Sequence, residues 1–220
     1  MQSSLTRTFK RLFYLLLACQ AGALNAQVNA QDWKLERQAR HITVSSQLND
    51  AGYKNILATT VVKSRPGALL RLLDDVARAP QWIANCIAVE VISAPSDNER
   101  IVHSYFAAPW PIKDRDMLTY SVTSVQGNSL SIDISGRGKA YPLNVGYVRM
   151  QDMFGQWRIT ELTKGHIQIT YQGGGNPAGE VPRWLANKAV IDATFATFIN
   201  LREVIVDDKY QQAQISSPTE

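Results

Sequence analysis

Arg183-Trp184-Leu185-Ala186-Asn187-Lys188-Ala189-Val190-Ile191-Asp192-Ala193-Thr194-Phe195-Ala196-Thr197-Phe198-Ile199-Asn200-Leu201-Arg202-Glu203-Val204-Ile205-Val206 follows Pro182 and contains neither glycine nor proline. A proline directly ahead of an unbroken run marks a helix start, and the spacing predicts one long helix over the whole stretch. Trp184, Ile191, Phe195, Phe198, Leu201 and Ile205 share one broad face, with Leu185, Ala189, Ala196 and Ile199 beside it. An apolar stripe this wide must be covered over most of its circumference. The rest of the chain has to supply the cover.

Upstream the pattern is that of sheet. In Ser129-Leu130-Ser131-Ile132-Asp133-Ile134-Ser135 the apolar residues alternate with short polar ones, as antiparallel sheet with one buried face requires. Similar runs occupy Val89 to Ile92, Ile101 to Ala107, Met117 to Val125, Val145 to Met150, Gln156 to Leu162 and His166 to Tyr171, with tight turns at Gly127-Asn128 and Lys164-Gly165. Nearer the N-terminus, Ile42 to Val44 and Ile56 to Val62 are rich in β-branched residues around the turn Asn49-Asp50-Ala51-Gly52. A helix opens at Pro66, carries Leu69, Leu70, Leu72, Leu73 and Val76 at helical spacing, and is expected to stop before Pro80. The expected class is α+β, an antiparallel sheet curved around the closing helix. Such a sheet has more concave apolar surface than one helix fills, so a cavity lined by Ile, Leu, Phe, Tyr and Trp is expected.

Composition bounds the rest. The 220 residues, 45% hydrophobic and 19% charged, suit one globular domain that needs neither disulfides nor a structural metal to hold a core. The net charge of +4 suggests nucleic acid at first sight. Yet Arg7, Lys10 and Arg11 sit in the first 26 residues with no acid beside them, which leaves 20 of the 23 basic side chains against 19 acidic ones. An almost neutral body with interspersed charge lacks the electrostatic footprint of a nucleic-acid binder. The three cations precede the apolar run Leu12 to Cys19, too short to span a bilayer, and small residues follow to Ala26. Residues 1–26 are therefore expected to be a secretory signal peptide, 27–210 the domain and 211–220 a disordered tail, in a protein exported to a periplasm. Cleavage after Ala26 and acylation of Cys19 through the box Leu16-Leu17-Ala18-Cys19 both fit. Cys86 is then the body's only thiol, and its expected role is that of a small buried hydrophobe.

Ala108-Pro109-Trp110-Pro111-Ile112-Lys113-Asp114-Arg115-Asp116 resembles the Pro-Trp-Pro, three variable residues, Arg-Asp signature of the START family, the steroidogenic-acute-regulatory-related lipid-transfer domains. Trp82 after the first helix, Gly155-Gln156-Trp157 at a strand start, and Asn176 to Asn187 leading into the closing helix resemble the family in the same order, over about residues 33 to 206. The resemblance implies a helix-grip fold whose tunnel holds one lipid or other apolar small molecule. Two departures matter. Asn176-Pro177-Ala178-Gly179 stands where the family commonly has Asp-Pro-Gly-Gly. Ser121 stands where some sterol-binding members carry a base, so a sterol preference does not transfer.

The expected lining is Ile191, Phe195 and Phe198 from the helix and Leu130, Ile132, Ile134, Ile169 and Tyr171 from the sheet, with His103, Tyr105 and Tyr120 as polar handles for a head group. Each assignment rests on alternation, which a one-residue slip would reverse. The leading expectation is a monomeric lipid-binding or lipid-transfer protein with transient membrane contact and no cofactor. A second reading is an enzyme like the aromatase and cyclase proteins of the wider helix-grip superfamily, using His103 with Tyr105 or Arg149. A third is a module whose lipid occupancy is read by a protein partner. His41, His103 and His166 lack metal-ligand spacing, and no Ser/His/acid arrangement is visible. Arg115 and Asp116, neighbours on a strand, point to opposite faces and are expected to take separate structural partners. Trp110 fits either a core plug or a membrane-touching loop. Gly173-Gly174-Gly175 lacks the Lys-Ser/Thr of a phosphate loop and is expected to be a flexible strand end, and Asp74-Asp75 and Asp207-Asp208 are expected to be solvated.

Overall fold

Asn49 shapes the first long hairpin. Its Oδ1 accepts from the backbone N–H of Ala51 and of Tyr53, and Gly52 supplies a φ of 79°. The hairpin lies within the structure, a computed structural model that describes residues 33–163 and 165–212. The expected leader, including Cys19 and Ala26, and residues 213–220 of the expected tail lie outside the described residues.

Strands β1 (Lys34–Ala39), β2 (Ile42–Leu48) and β3 (Lys54–Lys63) lead into helix α1 (Ala68–Asp74) and a second short helix α2 (Ala79–Trp82). There follow β4 (Cys86–Ser96), β5 (Glu99–Phe106), β6 (Arg115–Gln126), β7 (Ser129–Gly136), β8 (Val148–Arg149), β9 (Gln151–Thr163) and β10 (His166–Asn176). The long helix α3 (Arg183–Val204) and a short α4 (Asp208–Gln211) complete the described chain. Sheet order is β1-β2-β3-β10-β9-β7-β6-β5-β4, antiparallel throughout, with the two-residue β8 attached in parallel to β6. Pairing of β3 with β10 brings the first hairpin against the end of the meander. The curved antiparallel sheet around a long C-terminal helix is the expected helix-grip arrangement.

One end of this assembly is packed solid. Ile42, Val44, Ile56 and Ala58 of the first hairpin meet Ile159, Ile167 and Ile169 of β9 and β10, and all are fully buried with Leu201 and Ile205 of α3. Trp157 stacks on Phe198 with ring centroids 5.9 Å apart and tilts against Tyr171 at 4.6 Å.

The structure departs from the expected elements in four places. The helix from Pro66 ends at Asp74; after a 3-10 turn over Val76–Arg78 a new helix begins, with Pro80 in its first turn, where its missing N–H costs nothing. Of the strand expected over Val145 to Met150 only β8 forms, and the preceding segment becomes a strap. Gly173, Gly174 and Gly175 belong to β10 and are there for close approach: a Cβ at Gly173 would stand 2.4 Å from the Tyr171 hydroxyl and one at Gly175 2.2 Å from Met153 Sδ. Asp75 and Asp207 are paired rather than merely solvated. Asp75 Oδ2 accepts from Lys209 Nζ at 2.6 Å and from the Tyr210 hydroxyl at 2.7 Å, and these two bonds hold its carboxyl below the usual range. Asp207 Oδ2 accepts from Arg78 Nη2 at 3.1 Å. These contacts tie α4 to the α1–α2 segment, and Gln211, expected in the tail, donates from Nε2 to Ser64 Oγ at 3.0 Å.

Candidate functional site

Along the N-terminal half of α3 the cavity is bordered by Ala186, Ala189, Ala193, Thr194 and Thr197, with the larger Leu185 and Val190 beside them. The short side chains leave space between the helix and the facing strands. The void that remains is about 540 Å³, well within the size of small-molecule sites. Ile132 and Ile134 of β7, Trp157 of β9 and Tyr171 of β10 form one wall. The other is made by Val102, Ser104 and Phe106 of β5 and Met117, Thr119 and Ser121 of β6. Leu70 and Leu73 of α1 close it beneath the Arg100 end, while Pro109, Ile112, Pro177 and Val181 surround the opposite end. Burial pushes the Tyr171 hydroxyl up to about 12, so it is a neutral donor and acceptor at the cavity wall.

Ile132, Ile134, Tyr171 and Phe198 thus line the cavity as expected. Leu130 and Ile169 share those faces but lie further along, in the packed end, where each is about 1% exposed or less. Ile191 packs beside the core, and Phe195 is buried with the Arg37 guanidinium 3.8 Å above its ring. Neither borders the void: both sit among Ala189, Ala193 and Thr197 along the helix but on a different side of it.

His103, Tyr105 and Tyr120 are on the opposite face of the sheet. On β5 the cavity takes Val102, Ser104 and Phe106, and on β6 it takes Arg115, Met117, Thr119 and Ser121, one residue out of step with the expected handles. The outer face here is itself covered, by the strap before β8, so both faces carry buried residues and alternation cannot tell them apart. Tyr120 donates to Glu99 Oε1, with the Arg137 guanidinium 4.9 Å from its ring centroid.

The residues singled out as candidate acid and base do come together, outside the cavity. His103 Nε2 donates to Asp116 Oδ2 at 2.8 Å, His103 Nδ1 and the Tyr105 hydroxyl share a hydrogen bond at 3.1 Å, and that hydroxyl accepts from Asn144 Nδ2 at 3.2 Å. Arg149 binds the same Asp116 oxygen through Nε at 2.9 Å and Nη2 at 2.7 Å, and holds the strap through the carbonyls of Gly138 and Pro142. Burial by itself would raise the Asp116 carboxyl; the bonds from Arg149 and His103 outweigh it and hold the group below the usual range. The sequence groups His103 with Tyr105 or Arg149, but nothing in it places Asp116 between His103 and Arg149, which lies 33 residues further along the chain. Arg115 takes the separate partners expected of it, bonding the carbonyls of Lys113, Pro177 and Ala178 and so joining two loops at one end of the cavity. Among the described residues no group of three or more His, Cys, Asp or Glu is placed to hold a metal.

Comparison with known proteins decides the family. The START domain model matches residues 16–202. The chain belongs to the START domain family. Among its relatives is an uncharacterized protein of Pseudomonas aeruginosa, 26% identical over 189 residues that make up 85% of this chain and 93% of the relative. A STAR-related lipid transfer protein fragment from Xanthomonas axonopodis superposes with a TM-score of 0.72 at 26% identity, covering 79% of this chain and 98% of that one. Human STARD10 superposes with a TM-score of 0.70 at 19% identity, covering 95% and 82% respectively, a likeness of fold. This START chain therefore keeps the family's sheet and closing helix, with the small-residue half of α3 over the void.

Proposed function

We propose that this protein binds one lipid or other apolar small molecule between its sheet and α3 and carries it without a chemical step. The observation that supports this best is the void of about 540 Å³ under the alanines and threonines of α3, walled on the other side by Ile132, Ile134, Trp157 and Tyr171. Withdrawal from water is worth about 0.8 kcal/mol per methylene, so a chain of about sixteen carbons recovers of order 13 kcal/mol in any apolar home. A bilayer offers the same. The cavity needs only to match the membrane while sparing the lipid the passage through water.

Carriage is favoured over catalysis by the separation of the two groups of residues. His103, Tyr105 and Arg149 are spent on Asp116 and the strap, on the face away from the void. The END of the cavity at Pro109 and Ile112 adjoins Trp110, which is 93% exposed and so no core plug; Trp184 at the start of α3 is 69% exposed. Two exposed tryptophans beside the loops joined by Arg115 suit brief contact with a membrane. The protein works as an exported, periplasmic monomer, its leader either removed after Ala26 or converted to an anchor at Cys19. The test is mass spectrometry of apolar molecules extracted from protein purified from its own cells. One lipid class at about one per chain is expected, and an empty protein that also refuses added lipid contradicts the reading.

A further inference from the structure

Three cationic side chains border the cavity, and two of them are committed. Lys54 Nζ lies 2.7 Å from Glu36, and every nitrogen of the Arg115 side chain donates to a backbone carbonyl. Arg100, at the far end beneath α1, is different. Its Nη1 donates to the carbonyls of Ser96, Asp97 and Glu99, which fixes the group on the β4–β5 turn. Its Nε and Nη2 have no hydrogen-bond partner among the described residues, and the one carboxylate nearby, the 63% exposed Asp74, is 3.9 Å from Nε. So loose and solvated a pair neutralises little.

Hydroxyls lead up to this guanidinium. Ser121 stands directly across from Arg100 in the β5–β6 register, and Thr119 and Thr123 flank it on the same face of β6. None of these three side chains has a hydrogen-bond partner among the described residues, whereas the wall opposite is Ile132, Ile134 and Trp157. The cavity is therefore amphipathic along its length. Its volume of about 540 Å³ lies in the range of sites for one small-molecule guest, which suits a single acyl chain with a small head.

We infer that the ligand is a single-chain amphiphile with an anionic head, a carboxylate or a phosphate monoester, held at the α1 end by Arg100 and Ser121 with its chain running toward Pro109 and Ile112. An oxyanion matches the free edge of a guanidinium, and the β6 hydroxyls donate to its remaining oxygens. This rests on the cavity being a lipid site, and the experiment separates the two claims. Nile red, a neutral dye, is bound to the full protein and displaced with palmitate, palmitoyl lysophosphatidate or methyl palmitate. The anions are expected to compete about tenfold better than the ester, and Arg100→Gln to remove most of that advantage while leaving Nile red and the ester unchanged. Asp74→Asn, an exposed change that leaves the fold intact, is expected to tighten the anions alone. Whichever of the two anions competes better identifies the head. Equal competition by ester and acid, or an anion preference unmoved in both variants, overturns the head-group assignment and leaves the cavity reading standing. Failure of Nile red and all three competitors to bind overturns both.

Discussion

Between Leu185 and Thr197 helix α3 borders the cavity mainly with alanine and threonine, beside Leu185 and Val190 and with Phe195 turned into the core, and from Phe198 to Ile205 it presents Phe198, Leu201 and Ile205, each about 1% exposed or less. The same helix on the same sheet yields a void at one end and a filled core at the other. Side-chain volume differs between the two stretches, small at Ala186, Ala189 and Ala193 and large at Phe198, Leu201 and Ile205. Stability and ligand binding are thereby assigned to different halves of one element. The same division runs through the thickness of the sheet: β6 sends Asp116 outward into the network with Arg149 and His103 and sends Met117, Thr119 and Ser121 inward to the void.

Changes on the filled side should be costly and silent toward ligand chemistry. Arg149→Met strands Asp116, 1% exposed at its side chain, without its strongest partner and should lower unfolding free energy by about 3–5 kcal/mol in urea titration. Leu201→Ala should cost about 2–5 kcal/mol, the range for a buried leucine whose neighbours relax only partly. A smaller loss would mean that the packed end is looser than its burial indicates. Phe195→Arg belongs with these, because Phe195 is core and not lining.

Acid sharpens the contrast between faces. The Asp116 carboxyl is held below its unfolded value of about 3.9, so its contribution is complete above that pH and is lost as pH falls through the folded value. Comparison of wild type with Asp116→Asn at neutral pH and near pH 3 should show the stability gap narrowing at the lower pH. A gap independent of pH would deny that the ionised form is the one stabilised. Least affected should be Trp184→Ala on the solvent side of the open half, within about 0.5 kcal/mol of wild type by thermal unfolding.

Much of this was legible in the chain. The closing helix, its start at Pro182, the hairpin turns and the inward faces of β7 and β10 follow from period and turn chemistry, because β7 and β10 bury one face only. Alternation does not separate the faces of β5 and β6, where the strap buries His103 and Asp116 on the outer face while Ser104 and Arg115 are buried on the inner one. The lining of α3 departs from the expectation for a different reason. Large apolar residues such as Phe195 and Ile191 mark where space is consumed, and a cavity has to be sought where an amphipathic stripe turns small, as at Ala186, Ala189 and Ala193. The orphaned edge of Arg100 depends on which neighbours other cations have already taken, and no spacing in the sequence encodes that.

The account stands most directly on Ala193→Trp, which puts a large side chain into the void from its roof. Native mass spectrometry of wild type and variant, each offered palmitate, should show a single one-to-one adduct on the wild type and none on the variant, with the melting temperature of the variant preserved. An equally populated adduct on a folded Ala193→Trp protein would contradict a ligand site between the sheet and the open half of α3.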